Sequence, residues 1–118
     1  MPQLTYRSTE IIGVEEASLR LSVSQQTVYD WIRGRRLIGW QLKRQGMQIP
    51  TEQILGPGEV ISGLDKVLDL IRNPRAAWRF LSEESPYFDT PRRPVDALEE
   101  GEIEAVLAAA SAWGEAFT

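Results

Sequence analysis

Gln25, Gln26, Thr27 and Tyr29 lie within five residues of one another, and Arg33, Arg35 and Arg36 follow them. Amides, a hydroxyl and a phenol ahead of three guanidinium groups suit the recognition of duplex DNA. Gln can pair bidentately with adenine, Thr can reach a base or a phosphate, and Arg holds phosphate oxygens. Lys43 and Arg44 add two further cations a few residues on. Catalytic chemistry has little to work with. The sequence contains no His and no Cys, which removes the usual zinc sites, disulfides and nucleophile pairs built on either residue. Carboxylates remain as the adjacent pairs Glu15-Glu16, Glu83-Glu84 and Glu99-Glu100. Neighbours on a helix point about 100° apart, so these pairs read as solvated surface rather than as a proton-sharing dyad. No enzyme activity, metal or cofactor is expected.

Positioning the polar cluster requires a helix that begins at Ser24. Glu15 to Leu21 reads as a short helix with two acids in its first turn. Leu21-Ser22-Val23-Ser24 interrupts it, and Ser24 is a good N-cap for a second helix over 25–33. Val28 and Ile32 are four apart and share its inward face. Ala17 is small enough for close helix approach, and Val23 can plug the turn. This is a helix-turn-helix layout, in which the second helix enters the major groove. Ser24, Gln25, Gln26, Thr27 and Tyr29 are then the groove-facing candidates, with Arg33, Arg35 and Arg36 as phosphate contacts. Leu37–Leu42 and Met47–Ile49 read as strands around the turn Lys43-Arg44-Gln45-Gly46. The resulting wing carries Lys43 and Arg44 at its tip. Pro50 ends the second strand, and Thr51 can start a short helix reaching Leu55.

Composition separates two halves. The chain of 118 residues is 42% hydrophobic and 25% charged, ordinary for a globular protein. Its net charge of −4 is unevenly spread: residues 1–55 carry seven bases and five acids, residues 56–118 six bases and twelve acids. Local charge governs contacts because screening acts over ~8–10 Å, so the basic cluster can meet DNA while the acidic half suits a protein. Gly56-Pro57-Gly58 breaks helix and strand alike. The expected domains are therefore 1–55 and 62–118, joined by a linker over 56–61. The second half reads as helices. Ser62 caps a stripe of Leu64, Val67, Leu68 and Ile71, and Asn73-Pro74 opens a helix burying Ala77, Trp78 and Leu81. A short turn of helix holds Asp96-Ala97-Leu98, and a last helix carries Ile103, Val106, Leu107, Ala110, Trp113 and Phe117. The expected fold class is mainly α, a winged helix-turn-helix followed by a C-terminal helical bundle. No run approaches the ~20 apolar residues of a membrane span, and the opening residues lack a signal-peptide core. Cytoplasmic residence and no membrane partner are expected.

Two resemblances sharpen these expectations. Val14-Glu15-Glu16-Ala17, Leu21-Ser22-Val23-Ser24, Thr27 through Ile32, Gly34-Arg35 and Ile49-Pro50 resemble the excisionase-type, MerR-like winged helix-turn-helix over roughly residues 9–55. That resemblance implies sequence-specific binding to double-stranded DNA. Leu64 to Leu68, Asn73 to Leu81, Arg93 to Leu98 and Gly101 to Leu107 resemble the toxin-binding domain of the MbcA/ParS/Xre antitoxins, over roughly 62–118. Such antitoxins neutralise RES-domain toxins that consume NAD, repress their own operon, and often plug the toxin with their C-terminal segment. The resemblance implies a toxin partner, a homodimer or toxin–antitoxin hetero-oligomer, and Trp113, Phe117 and Thr118 as partner-binding residues. The alternative is a stand-alone transcriptional regulator whose second half only dimerises.

Overall fold

A computed structural model describes residues 10–115, which form six α-helices and two small antiparallel sheets. In chain order these are β1 (Ile11–Ile12), α1 (Val14–Leu21), α2 (Gln25–Arg33), β2 (Trp40–Leu42) and β3 (Gly46–Pro50). A 3-10 turn (Thr51–Gln53), β4 (Ile54–Gly56) and β5 (Glu59–Val60) follow. The rest is α3 (Leu64–Leu70), α4 (Pro74–Ser82), α5 (Pro94–Glu99) and α6 (Ile103–Glu115). Helix accounts for 52% and strand for 16%. The fold is thus a mixed α/β one, which corrects the expectation of a mainly α chain ending in a helical bundle. Short range is the physical reason. Five of the six helices have nine residues or fewer and α5 only six, so no pair is long enough to make a bundle seam. The strands, all between Ile11 and Val60, supply the rest of the regular structure.

The first sheet runs β1-β3-β2, with Ile12 opposite Ile49 and Trp40 opposite Gln48. The two residues of β1 carry no alternation that marks them as a strand in the sequence. The β2–β3 hairpin turns where expected, but its first strand begins at Trp40 rather than Leu37 and Gly46 opens β3 instead of belonging to the turn. Gly39, just before it, is buried and close-packed: a Cβ there would lie 2.8 Å from Ile32 Cδ1 and 3.3 Å from Ile49 Cγ1. The residues expected as a linker behave differently. Gly56 ends β4 and Pro57-Gly58 is the turn of a β4–β5 hairpin, with Ile54 opposite Val60. Gly58 donates its N–H to the Leu21 carbonyl at the end of α1 at 2.8 Å. The short helix expected over 51–55 stops after one 3-10 turn because Ile54 enters that hairpin.

Two apolar cores result. Val14, Ala17, Leu21, Val28, Leu37 and Ile49 form one. Trp78, Phe80, Leu81, Val95, Leu98 and Val106 belong to the other, which also takes in Ile38 from the first half of the chain. Leu37 and Ile38 are adjacent, so the backbone there passes between the cores. Buried Gln53 holds it: its amide donates to the Ile38 carbonyl at 2.7 Å and the Pro50 carbonyl at 3.0 Å, and accepts from the Ile38 N–H at 2.8 Å. A second tie is Arg93, which donates to both Glu52 oxygens at 3.1 and 2.6 Å and to Asp96. Hydrogen bonding to Glu52, and then to Asp96, holds the Arg93 guanidinium well above its usual range.

Helix starts follow the sequence closely at α2 and α4. The Ser24 hydroxyl accepts from the Thr27 N–H, and the Asn73 side chain accepts from the Ala76 N–H ahead of Pro74. At α3 they do not. The N-cap is Gly63, with φ of 96°, and no side chain caps it, which displaces Ser62 from its expected role. Gly63 is needed twice over, since a Cβ would stand 2.8 Å from Ile103 Cδ1 and 3.1 Å from Leu98 Cδ1. Gly63→Ala is expected to cost about 1–3 kcal/mol, from the left-handed backbone and the crowding together. A urea midpoint equal to that of the parent protein would contradict it.

Candidate nucleic-acid interface

The helix pair α1–α2 is built by its caps. Ser22 closes α1 in the left-handed conformation with φ of 57°, and Val23 returns its N–H to the Ser18 carbonyl at 3.1 Å. The chain then turns at Ser24 and starts α2. Ala17 and Val28 are fully buried where the two helices meet. At about 100° per residue, the opposite arc of α2 carries Gln25, Tyr29, Arg33, Gln26 and Asp30, and all five are exposed. A rigid helix presents one polar face to solvent, as groove reading requires.

The expected DNA contacts separate into three groups. Gln25 and Tyr29 on α2, and Lys43 and Arg44 in the turn of the β2–β3 hairpin, are exposed, and their side chains make no hydrogen bond or ion pair among the described residues. Gln26 and Arg33 are exposed but tethered to Asp30: Gln26 donates to its Oδ1 at 3.0 Å, and Arg33 forms an ion pair with the same oxygen. Ser24 and Thr27 bind each other, the Ser24 hydroxyl donating to Thr27 Oγ1 at 2.9 Å. Thr27 is half-buried at the turn and lies off the polar arc.

Arg35 and Arg36 are set apart from that arc. Arg35 has φ of 64° and reaches Asp69 on α3 at 2.5 Å. Arg36 lies 3.9 Å over the Trp31 ring and donates to the Gly58 carbonyl at 3.3 Å. Both arginines therefore tie the end of α2 to later elements. Asp69 and Gly58, far along the chain, are invisible to reasoning within one helix. Asp30 is different, because the spacing 26, 30, 33 is the i, i+3, i+4 pattern of helix side-chain pairs.

Asp30 makes a specific effect expected. Asp30→Asn should free Arg33 and remove a negative charge from the polar face. Nonspecific DNA affinity should rise, and the salt dependence should steepen by about one phosphate contact. Anisotropy titrations on random duplex across a salt series would show it, and an unchanged slope would place Arg33 outside the interface.

In the second half, Trp113 packs on Phe80 with ring centroids 5.8 Å apart and is only partly buried. Phe117 and Thr118, the other expected partner-binding residues, lie outside the described residues. Among the described residues no group of three or more potential ligands could hold a metal ion. No helix there is long and apolar enough to cross a membrane.

The fold is similar to a solved structure described as the NMR structure of Rv2175c. The two chains are 19% identical, the TM-score is 0.71, and the match covers 96% of this chain and 86% of the other. At that identity the likeness establishes the fold alone. No protein-family model and no curated protein matches the chain.

Proposed function

We propose that this protein is a non-catalytic DNA-binding adaptor. It reads the major groove with α2 and contacts the backbone with the β2–β3 hairpin. The observation that carries the reading is the pairing of uncommitted groups: Gln25 and Tyr29 on a capped helix, Lys43 and Arg44 on a projecting turn. Gln25 and Gln26 supply base-edge hydrogen bonds, and the hairpin cations supply sequence-blind attraction. Arg35 and Arg36 serve the joint between the halves instead. Selection from a randomised duplex library tests the reading directly. It should return a shared motif whose enrichment falls when Gln25 or Gln26 is replaced by Ala. A library that stays random with the parent protein would overturn it.

The second half, in this proposal, receives a protein partner of the RES-toxin type, and the complex acts on its own operon in the cytoplasm. Support comes from the run Asn73 to Leu81 and the segments Arg93–Leu98 and Gly101–Leu107. Their most apolar members, Trp78, Phe80, Leu81, Val95, Leu98 and Val106, build one core. Co-expression with a RES-domain toxin should restore growth. Growth arrest that persists despite folded protein would remove the toxin from the proposal and leave the DNA reading standing.

A further inference from the structure

A cleft of about 760 Å³ opens between the first sheet and the outer side of α4 and α6. Ile11, Trp40, Trp78 and Trp113 give it apolar walls, and Arg75 and Arg79 stand at it. Its charge is out of keeping with its surroundings. Residues 56–118 hold twelve acids against six bases, yet no acid among the described residues lines the cleft. Arg75 is exposed and has no ion pair among the described residues. Arg79 has only a 3.5 Å pair with Glu83, both side chains being more than half exposed. The wall also contains a deeply buried tryptophan. Trp78 is 3% exposed, and its indole N–H has no acceptor, the one such buried side-chain atom among the described residues.

We propose that this cleft binds a segment of a partner protein in which an apolar or aromatic side chain is flanked by Asp or Glu. The tryptophans bury the apolar anchor, as aromatic pockets do in protein interfaces. The arginines take the flanking carboxylates, and their planar donors suit that geometry. Single-stranded nucleic acid fits less well. Trp78 is too buried to offer its face to a base, and the surrounding half is strongly acidic. The proposal refines the partner reading of the second half and is independent of DNA binding.

The test is selection of random short peptides, displayed on phage, against the full chain. Enriched peptides should share an apolar residue next to acids. A synthetic peptide of the consensus should shift the intrinsic tryptophan emission on binding. Arg75→Glu should weaken it by about tenfold or more, and Arg79→Gln should weaken it less. Arg75 follows Pro74 in the first turn of α4, where an acid favours the helix dipole, so the Glu variant should fold at least as well. Absence of enrichment, a basic consensus, or equal binding by Arg75→Glu would overturn the proposal. So would a self-association of the protein that Arg75→Glu abolishes, which would assign the cleft to a second copy. Tight binding of an oligothymidylate lost in the same variant would assign it to nucleic acid. A RES-domain toxin that still binds Arg75→Glu would remove the cleft while sparing the toxin reading.

Discussion

Lys43→Ala combined with Arg44→Ala should lower affinity for specific and random duplex alike, by about thirtyfold near physiological salt. The size follows from counterion release. Each phosphate contact contributes a slope of about −0.9 in log affinity against log salt, so two lost contacts remove about 1.8 from the slope, which is roughly thirtyfold at 0.15 M. The effect should be equal for both kinds of DNA because phosphates carry no sequence information. Neither side chain makes a hydrogen bond or ion pair within the described structure, so folding should be unaffected and a urea midpoint should not move. Arg36→Ala provides the contrast. It removes the stacking on Trp31 and the bond to Gly58, so it should lower stability while changing the salt slope little. A double variant that keeps the parent slope, or an Arg36→Ala variant that flattens it as much, would place the phosphate contacts elsewhere.

Gln53→Leu should destabilise the protein by about 3 kcal/mol. The side chain is fully buried and joins the Ile38 N–H, the Ile38 carbonyl and the Pro50 carbonyl in three bonds of 2.7–3.0 Å. Leu is similar in volume and gains apolar burial, but it leaves those three backbone groups unpaired, at about 1–3 kcal/mol each before that gain is deducted. Gln53→Glu separates hydrogen bonding from packing. An ionised carboxylate accepts from the Ile38 N–H but cannot donate to either carbonyl. Burial and the facing carbonyls raise its folded pKa above the unfolded value, so its stability is greatest below the unfolded value and falls as pH rises through the folded one. Urea unfolding of both variants at neutral and mildly acidic pH checks this. A Leu variant with an unchanged midpoint would show that Ile38 is held by packing alone.

Most of the local structure, including the polar face, was legible because it rests on short-range chemistry. Ser24 and Asn73 cap the helices they precede, and Val28 faces inward with Ala17 opposite. The strand formers before Lys43 and after Gly46 pair across their turn. Each follows from residues within a turn or two of one another. The same signals misled where a long-range contact intervened. Gly56-Pro57-Gly58 contains the residues of a linker, yet the chain on either side pairs as β4 and β5 because Ile54 can meet Val60. Ser62 has the chemistry of a cap, but the close approach of Leu98 and Ile103 puts Gly63 there instead.

What the sequence determined by itself is which side chains share a helix face and where that helix begins. Those properties depend on a period of 3.6 residues and on one capping hydrogen bond. Only the tertiary structure decided which of the cations are available. Arg35, Arg36, Lys43 and Arg44 are equivalent as a string of positive charges, but Asp69 and the Gly58 carbonyl, far along the chain, engage the first two. The cleft beside Trp78 is likewise a tertiary product. Ile11, Trp40 and Trp113 come from three separate elements, and their convergence depends on how the sheet seats against α4 and α6. Packing of that kind is set by the fit of whole surfaces, which no local pattern encodes.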